Sequence, residues 1–158
     1  MTKPEAPPQK QLDGFMAKYE PTLAAKAKKA LRKMRARLPG AIEMVYDNFN
    51  WLVIGFSPTP RPSEAMFSLV LVPSGWVTLC FLRNGAKLKD PNKLLRGSGK
   101  RIRNIRLEGA GDLDSPAVEA LIAQSLKLAG DPFEPSAPRK LVIKAVSAKQ
   151  RPRRPQAA

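Results

Sequence analysis

Residues 94–108, with the sequence LLRGSGKRIRNIRLE, combine two glycines with five basic side chains. A glycine-rich loop followed by a lysine is the pattern that cradles phosphates in nucleotide-hydrolysing proteins. That motif also needs glycine at position 94 and Ser or Thr at position 101, where this chain has Leu94 and Arg101. The dinucleotide-binding fingerprint fails as well, because Ile102 stands where its third glycine belongs. The stretch is therefore predicted to be a glycine turn that leads into a strand.

The basic side chains beside this turn form a first candidate site, which would bind an anion. Its residues are Lys100, Arg101, Arg103 and Arg106. In a strand their side chains alternate between two faces, and neither face is purely polar. We favour internal ion pairs for them and keep an external anion as the alternative. The possible internal partners are Glu43, Asp47 and Asp90.

Charge is the strongest compositional feature of the chain. There are 28 Lys and Arg residues against 13 Asp and Glu, which gives a net charge of +15 at pH 7. Residues 1–40 and 139–158 hold nearly all of this excess, and the body between them is almost neutral. Basic flanks of this kind predict nonspecific contact with nucleic acid or another polyanion. The residues predicted to make that contact are Lys29, Arg32, Lys33, Arg151, Arg153 and Arg154.

Tyr46 belongs to two hypotheses. It lies close in the chain to Phe49 and Trp51, and we assign this cluster of rings to core packing and not to base stacking. It also belongs to a candidate cleft at a strand end, where the alternative is ordinary Asp-Asn turn chemistry. The residues of this cleft are Glu43, Tyr46 and Asp47.

Catalysis is not predicted. The chain has no histidine, which excludes Ser-His-Asp and Cys-His arrangements and an imidazole base. Its single cysteine, Cys80, excludes clusters held by several thiolates. No nucleophile lies beside a base in any pattern we recognise, so we expect neither an enzyme nor a cofactor.

The cellular location of the protein is predicted from three observations. No apolar run reaches the roughly eighteen residues that a membrane span needs. The first residues, MTKPEAPPQKQ, lack the apolar run of a secretory signal. One cysteine excludes an internal disulfide and fits a reducing compartment. We therefore expect a soluble, cytoplasmic protein without a membrane partner.

Hydrophobic periodicity and turn residues predict an α+β fold. The predicted helices span residues 14–19, 21–38 and 116–129, with a helical turn at 90–95. The predicted strands span 42–46, 51–56, 66–72 and 76–82, followed by one after the glycine turn and an edge strand at 141–146. Strand 66–72 is apolar almost throughout, which is typical of a strand buried on both faces.

These elements assemble into one predicted architecture. N-terminal helices precede an antiparallel sheet of about five strands, and a C-terminal helix packs on one face. A single domain would cover residues 10–146. Residues 1–9, rich in proline, and the basic tail 147–158 are predicted to be disordered.

The order of these pieces resembles the YdhG-like domain, a bacterial family of largely unknown function. Four segments carry the resemblance: LPGAIEMVYDN (38–48), FLRNGAKLKDPNKLLRGSGK (81–100), IRNIRL (102–107) and LDSPAVEALIAQSL (113–126). The resemblance implies an α+β domain loosely similar to frataxins, and some relatives are described as iron chaperones. Many members read Arg-His-hydrophobic where this chain has Arg103-Asn104-Ile105. The role that the family gives to this histidine is therefore missing here.

Iron handling is the alternative to polyanion binding. Oxygen ligands hold iron only when they cluster. The densest acidic group is Asp112, Asp114 and Glu119, and helix-start chemistry explains Asp114 better. Since the first long helix is basic, we rank iron below a general binding role and predict no metal site.

Overall fold

The computed structural model describes residues 6–155 as an α+β domain. The helices are α1 (Pro8–Ala17), α2 (Pro21–Arg37) and α3 (Pro116–Leu128). The strands are β1 (Ile42–Asp47), β2 (Leu52–Ser57), β3 (Phe67–Val72), β4 (Trp76–Phe81), β5 (Arg103–Arg106) and β6 (Lys140–Val146). The predicted fold class is confirmed, with six strands where we expected about five.

All six strands form one sheet in the order β5-β4-β3-β2-β1-β6. The first five are antiparallel neighbours, and β6 pairs with β1 in parallel. The parallel pair arises because the chain leaves β5 at one edge and returns through α3 to the opposite edge. Helix α3 thus serves as a crossover connection, which parallel neighbours require.

Helix α2 forms where its apolar stripe predicts it. Pro21 occupies the first turn, where its missing N–H costs nothing, and the helix ends before Gly40, whose φ is +82°. Its buried face includes Leu23, Leu31 and Met34. These side chains pack against one face of the sheet, together with the buried side chains of α1 and α3.

The helices cover only that face of the sheet. In β3, Phe67, Leu69 and Leu71 point into the core and are fully buried. The alternate residues point to the other face, where Ser68 is buried and Val70 and Val72 are half-buried. The prediction that this strand is buried on both faces therefore holds at Ser68 and fails at Val70 and Val72.

Both predicted disordered ends need correction. Helix α1 begins at Pro8, so residues 8 and 9 are helical, while residues 1–5 lie outside the described part of the chain. Asp13, one residue before the predicted helix start at position 14, lies inside this helix and accepts a hydrogen bond from Gln9 at 2.9 Å. Residues 147–155 run along the domain and make specific contacts, and residues 156–158 lie outside the described range.

The predicted helical turn at 90–95 is a single hydrogen-bonded turn, in which the N–H of Lys93 donates to the carbonyl of Asp90 at 3.1 Å, followed by irregular backbone. The carboxylate of Asp90 accepts hydrogen bonds from the backbone N–H groups of Leu94 at 3.0 Å and Leu95 at 2.8 Å. These bonds replace the intrahelical bonds of the expected turn. Both oxygens of the Asp90 carboxylate thus have backbone hydrogen-bond donors, and Asp90 forms no ion pair with an arginine among the described residues.

Over residues 6–155, none of the helices combines the length and the apolar character that crossing a membrane requires.

Candidate polyanion-binding surface

The C-terminal segment, residues 147–155, is anchored by a buried ion pair. Arg153 donates a hydrogen bond to Asp47 Oδ1 at 2.9 Å, and the side chains are 3% and 0% exposed. Lys18 donates to the second carboxylate oxygen of Asp47, also at 2.9 Å. Asp47 lies at the end of β1 on the face covered by helices, where a carboxylate needs a paired cation. Arg153 supplies it, so the prediction that Arg153 contacts a polyanion is wrong.

Further hydrogen bonds hold the same segment in register. Arg153 donates to the backbone carbonyl of Phe49 at 3.3 Å, and to that of Asn48. The N–H of Arg151 donates to the carbonyl of Phe49 at 2.8 Å. Arg154 donates to the carbonyl of Lys18 at 3.2 Å. The segment is therefore a fixed part of the domain over the residues that the structure describes.

The predicted cleft is not formed. Glu43 is buried on the helix-covered face of β1, where Arg35 of α2 binds both of its carboxylate oxygens at 2.7 to 3.1 Å. Arg139 adds a longer contact at 3.4 Å. Tyr46 points to the other face of the sheet, as alternation along a strand requires. Glu43 and Asp47 thus serve the fold through separate ion pairs and do not share a cavity with Tyr46.

The basic loop, residues 96–103, projects from the edge of the sheet at β5. Arg96 and Asn104 close it with two backbone hydrogen bonds of 2.8 and 2.9 Å. Gly97 turns the chain with φ +116°, which confirms the predicted glycine turn. Lys100 and Arg101 are exposed.

The arginines beside this loop have no acidic partners among the described residues. Arg103 donates to the backbone carbonyls of Gly99 at 2.5 Å and Ile102 at 2.9 Å, which braces the loop. Arg106 stacks over the ring of Trp76, with its guanidinium carbon 3.7 Å from the ring centroid. The favoured prediction of internal ion pairs is therefore wrong, because Glu43, Asp47 and Asp90 are engaged elsewhere. Lys100 and Arg101 present their charges to solvent.

Helix α2 presents basic residues on both sides of its buried stripe. Lys29 and Lys33 face the segment that precedes α3, where both pair with Asp114, Lys29 at 3.8 Å. The hydrogen bond from Lys33 lowers the pKa of Asp114 below its usual value. Arg32 lies on the other flank and is exposed. Ion pairs this exposed are weak, so an anionic ligand can compete for Lys29 and Lys33.

Three neighbouring cavities lie at one end of the sheet. The largest, the aromatic groove, has a volume of about 710 Å³, and its lining includes Phe49, Trp51, Pro73, Arg151, Arg154 and Pro155. A cavity of about 100 Å³ shares Pro73 and Pro155 with it and reaches Lys26. A third cavity, of about 270 Å³, shares Lys26, and its lining includes Lys29 and Lys33 together with the acidic residues Glu108 and Asp112. Basic residues from the two ends of the sequence thus line neighbouring cavities at one end of the sheet.

Sequence reasoning missed Phe49 and Trp51. Their side chains are 46% and 41% exposed, so the assignment of these rings to the core is wrong, and Tyr46 alone of the three lies within a strand. The missed signal is their position in residues 48–51, between two strands. A connection that follows Asp-Asn runs over the surface. Lys26 was also missed, because charge alone does not distinguish it from its neighbours on α2.

The candidate iron ligands do not converge. Asp114 pairs with lysines of α2, Glu119 pairs with Arg37 at 2.5 Å, and Asp112 accepts the N–H of Asp114 at 2.8 Å. Within the described part of the chain, acidic and cysteine side chains form no group of three or more that would hold a metal ion.

Tyr19 supports the anchored end of the sheet from beneath. Its hydroxyl accepts the N–H of Leu52 at 3.0 Å and donates to the carbonyl of Leu71 at 3.2 Å, which links β2 and β3. Burial raises the pKa of Tyr19 above its usual value of 10.0. Tyrosinate is therefore less favourable in the folded protein than in the unfolded chain.

Replacing Tyr19 with phenylalanine is expected to destabilise the protein by about 1–3 kcal/mol, because it leaves a buried N–H and a buried carbonyl without partners. Because the pKa of Tyr19 is raised, its contribution to stability also depends on pH. The stability due to the neutral hydroxyl is present below pH 10.0 and is lost as pH rises beyond it. Urea denaturation across this range measures both effects. Tyr46→Phe is the matched control. An alkaline loss of equal size in wild type and Tyr19→Phe would contradict the assignment.

Comparison with known proteins adds no relative. No family model, no curated protein and no solved structure matches this chain. The resemblance to the YdhG-like domain therefore stays a prediction.

Proposed function

We propose that this protein binds polyanions nonspecifically, with nucleic acid as the principal class. The observation that carries the proposal is the supply of exposed basic side chains without acidic partners within residues 6–155. Those on the basic loop, on α2 and on the C-terminal segment include Lys26, Lys28, Arg32, Lys100, Arg101, Arg151 and Arg154. They lie on a chain with a net charge of +15.

The chemistry suits phosphate backbones. Lysine and arginine side chains that neutralise phosphates release condensed counterions, which supplies most of the free energy of nonspecific binding. The fold holds Arg151 and Arg154 against the domain through backbone contacts, so less conformational freedom is lost on binding. The Gly-Ser-Gly-Lys region contributes Lys100 and Arg101 as a second contact at the β5 edge.

We further propose that the chain is a cytoplasmic YdhG-like protein that binds and does not catalyse. The four matching segments support the family. The lone, unpaired Cys80 supports a reducing compartment. The side chains with the clearest chemistry, Glu43 and Asp47, are engaged in structural ion pairs, which supports a binding role.

Affinity for a labelled DNA duplex is expected to fall steeply with salt. About four phosphate contacts predict a loss of roughly 100-fold between about 50 and about 200 mM salt. Fluorescence anisotropy across a salt series measures it. The double variant Lys100→Gln/Arg101→Gln is expected to reduce the slope of log affinity against log salt concentration by the amount that corresponds to about two phosphate contacts.

The matched control is Lys140→Gln/Lys144→Gln, on β6 at the opposite edge of the sheet from the basic loop. This pair removes the same charge and is expected to change the slope less. Absence of binding at low salt, or binding that ignores salt, would overturn the proposal. Equal effects of the two double variants would remove the basic loop from it.

A further inference from the structure

Two large aromatic rings, Phe49 and Trp51, are exposed in the connection between β1 and β2. The turn is closed by a hydrogen bond of 3.0 Å from the N–H of Asn48 to the carbonyl of Trp51. Phe49 and Trp51 both line the aromatic groove and are nearly half exposed. A single exposed ring is common on protein surfaces, but two rings in one concave site indicate a contact surface.

Two arginines, Arg151 and Arg154, line the aromatic groove together with its rings. The guanidinium carbon of Arg151 lies 5.5 Å from the centroid of Phe49, within range of a cation–π interaction. Arg154 lines the same groove, and its guanidinium is braced against the carbonyls of Lys18 and Ala17. The lining of this cavity of about 710 Å³ therefore combines flat apolar surface with positive charge.

The groove is preformed. The Arg153–Asp47 ion pair fixes the C-terminal wall, and the bond from Arg151 N–H to the Phe49 carbonyl joins that wall to the aromatic turn. Proline at positions 152 and 155 further restricts the backbone of this wall. A ligand would thus meet rings and charges that are already in place.

We propose that the aromatic groove binds single-stranded nucleic acid, with an unpaired base stacked on Trp51 and the flanking phosphates at Arg151 and Arg154. The inference rests on polyanion binding and names the substrate class for it. Stacking on aromatic rings combined with a basic track is the way proteins hold single strands without reading sequence. A duplex hides the faces of its bases, whereas a single strand offers them. Lys26, Lys29 and Lys33 line the neighbouring cavities and provide further cations for the backbone of the strand.

Tryptophan fluorescence tests the stacking step directly. In a Trp76→Phe background Trp51 is the sole tryptophan. Oligothymidylate is expected to quench its emission, whereas inorganic polyphosphate of matched charge is expected to bind without quenching. This measurement keeps Trp51 in place, so it does not depend on the folding of a Trp51 variant.

Affinity measurements supply the second readout. Trp51→Ala and Phe49→Ala are each expected to weaken oligothymidylate binding about tenfold and to leave polyphosphate binding unchanged. Ile102→Ala is the matched control, since it removes an exposed apolar side chain of the basic loop. It is expected to change neither affinity.

The outcomes separate the two proposals. If polyphosphate and oligothymidylate bind equally and neither quenches Trp51, stacking is overturned while polyanion binding stands. If neither polymer binds, polyanion binding fails and the stacking proposal fails with it. If an acidic peptide quenches Trp51 more strongly than oligothymidylate does, the groove is a protein-binding site and the nucleic-acid assignment is overturned.

Discussion

Replacing Asp47 with alanine is expected to lower the free energy of unfolding by about 3–5 kcal/mol. The carboxylate is fully buried and binds Arg153, whose side chain is only 3% exposed. Without Asp47, the guanidinium would stay buried without its counter-charge or the C-terminal segment would detach. Arg153 Nε already has no hydrogen-bond partner among the described residues. Loss of the carboxylate would leave a second nitrogen of the same buried guanidinium without an acceptor. Urea denaturation monitored by circular dichroism measures the change.

A double-variant cycle isolates the ion pair from the loss of packing. Asp47→Ala/Arg153→Met removes both charges together and is expected to be more stable than the sum of the single variants predicts. Tryptic cleavage after Lys149 and Arg153 is expected to accelerate in Asp47→Ala, because the segment that carries these sites loses its anchor. Glu108→Ala, an exposed acidic residue, is the matched control. A loss below about 1 kcal/mol for Asp47→Ala, a value typical of exposed pairs, would contradict the role given to the ion pair.

Replacing Glu43 with alanine is expected to cost about 3 kcal/mol, at the lower end of the range for a broken buried pair. Arg35 binds the carboxylate with three contacts, but its own side chain is 20% exposed and can be partly rehydrated. Glu43→Gln keeps one acceptor oxygen and is expected to lose about half as much stability. Thermal and urea denaturation both report the effect.

Glu119→Ala provides a control, because Glu119, like Glu43, pairs with an arginine of α2. Glu119 pairs with Arg37, which also lies on α2, at 2.5 Å, but its side chain is 54% exposed. Its loss is expected to cost less than about 1 kcal/mol, because water already competes for both charges. If Glu43→Ala and Glu119→Ala were equally destabilising, burial would not be the factor that sets the strength of these pairs.

Local sequence patterns predicted most elements of this fold. The stripe of apolar residues gave α2, and Ser115-Pro116 marked the start of α3 correctly. The hairpin of β3 and β4 follows from the turn residues between two apolar runs. These features are encoded within a few residues, so they do not depend on distant partners. The start of α1 at Pro8 was missed because its only local signal is a proline in a proline-rich segment.

The candidate site was predicted only in part. Lys29, Lys33, Arg151 and Arg154 were predicted as polyanion contacts, and each of them lines a cavity at the same end of the sheet. Arg153, adjacent to Arg154, was grouped with them although it is buried. Both neighbouring positions hold arginine, so no local sequence pattern shows which of the two side chains is buried.

The sequence by itself determined the α+β class, the principal helices and hairpin, and the large positive charge, because periodicity, turn chemistry and ionisation belong to short segments and side chains. Only the tertiary structure decided that β6 joins β1 in parallel, that Asp47 captures Arg153, and that Phe49 and Trp51 face solvent beside the C-terminal segment. Each of these outcomes depends on which distant segments meet. The ion pair shows the reason most clearly: its two residues are 106 positions apart, and what fixes them together is the desolvation of a carboxylate that becomes buried only when the sheet and helices assemble.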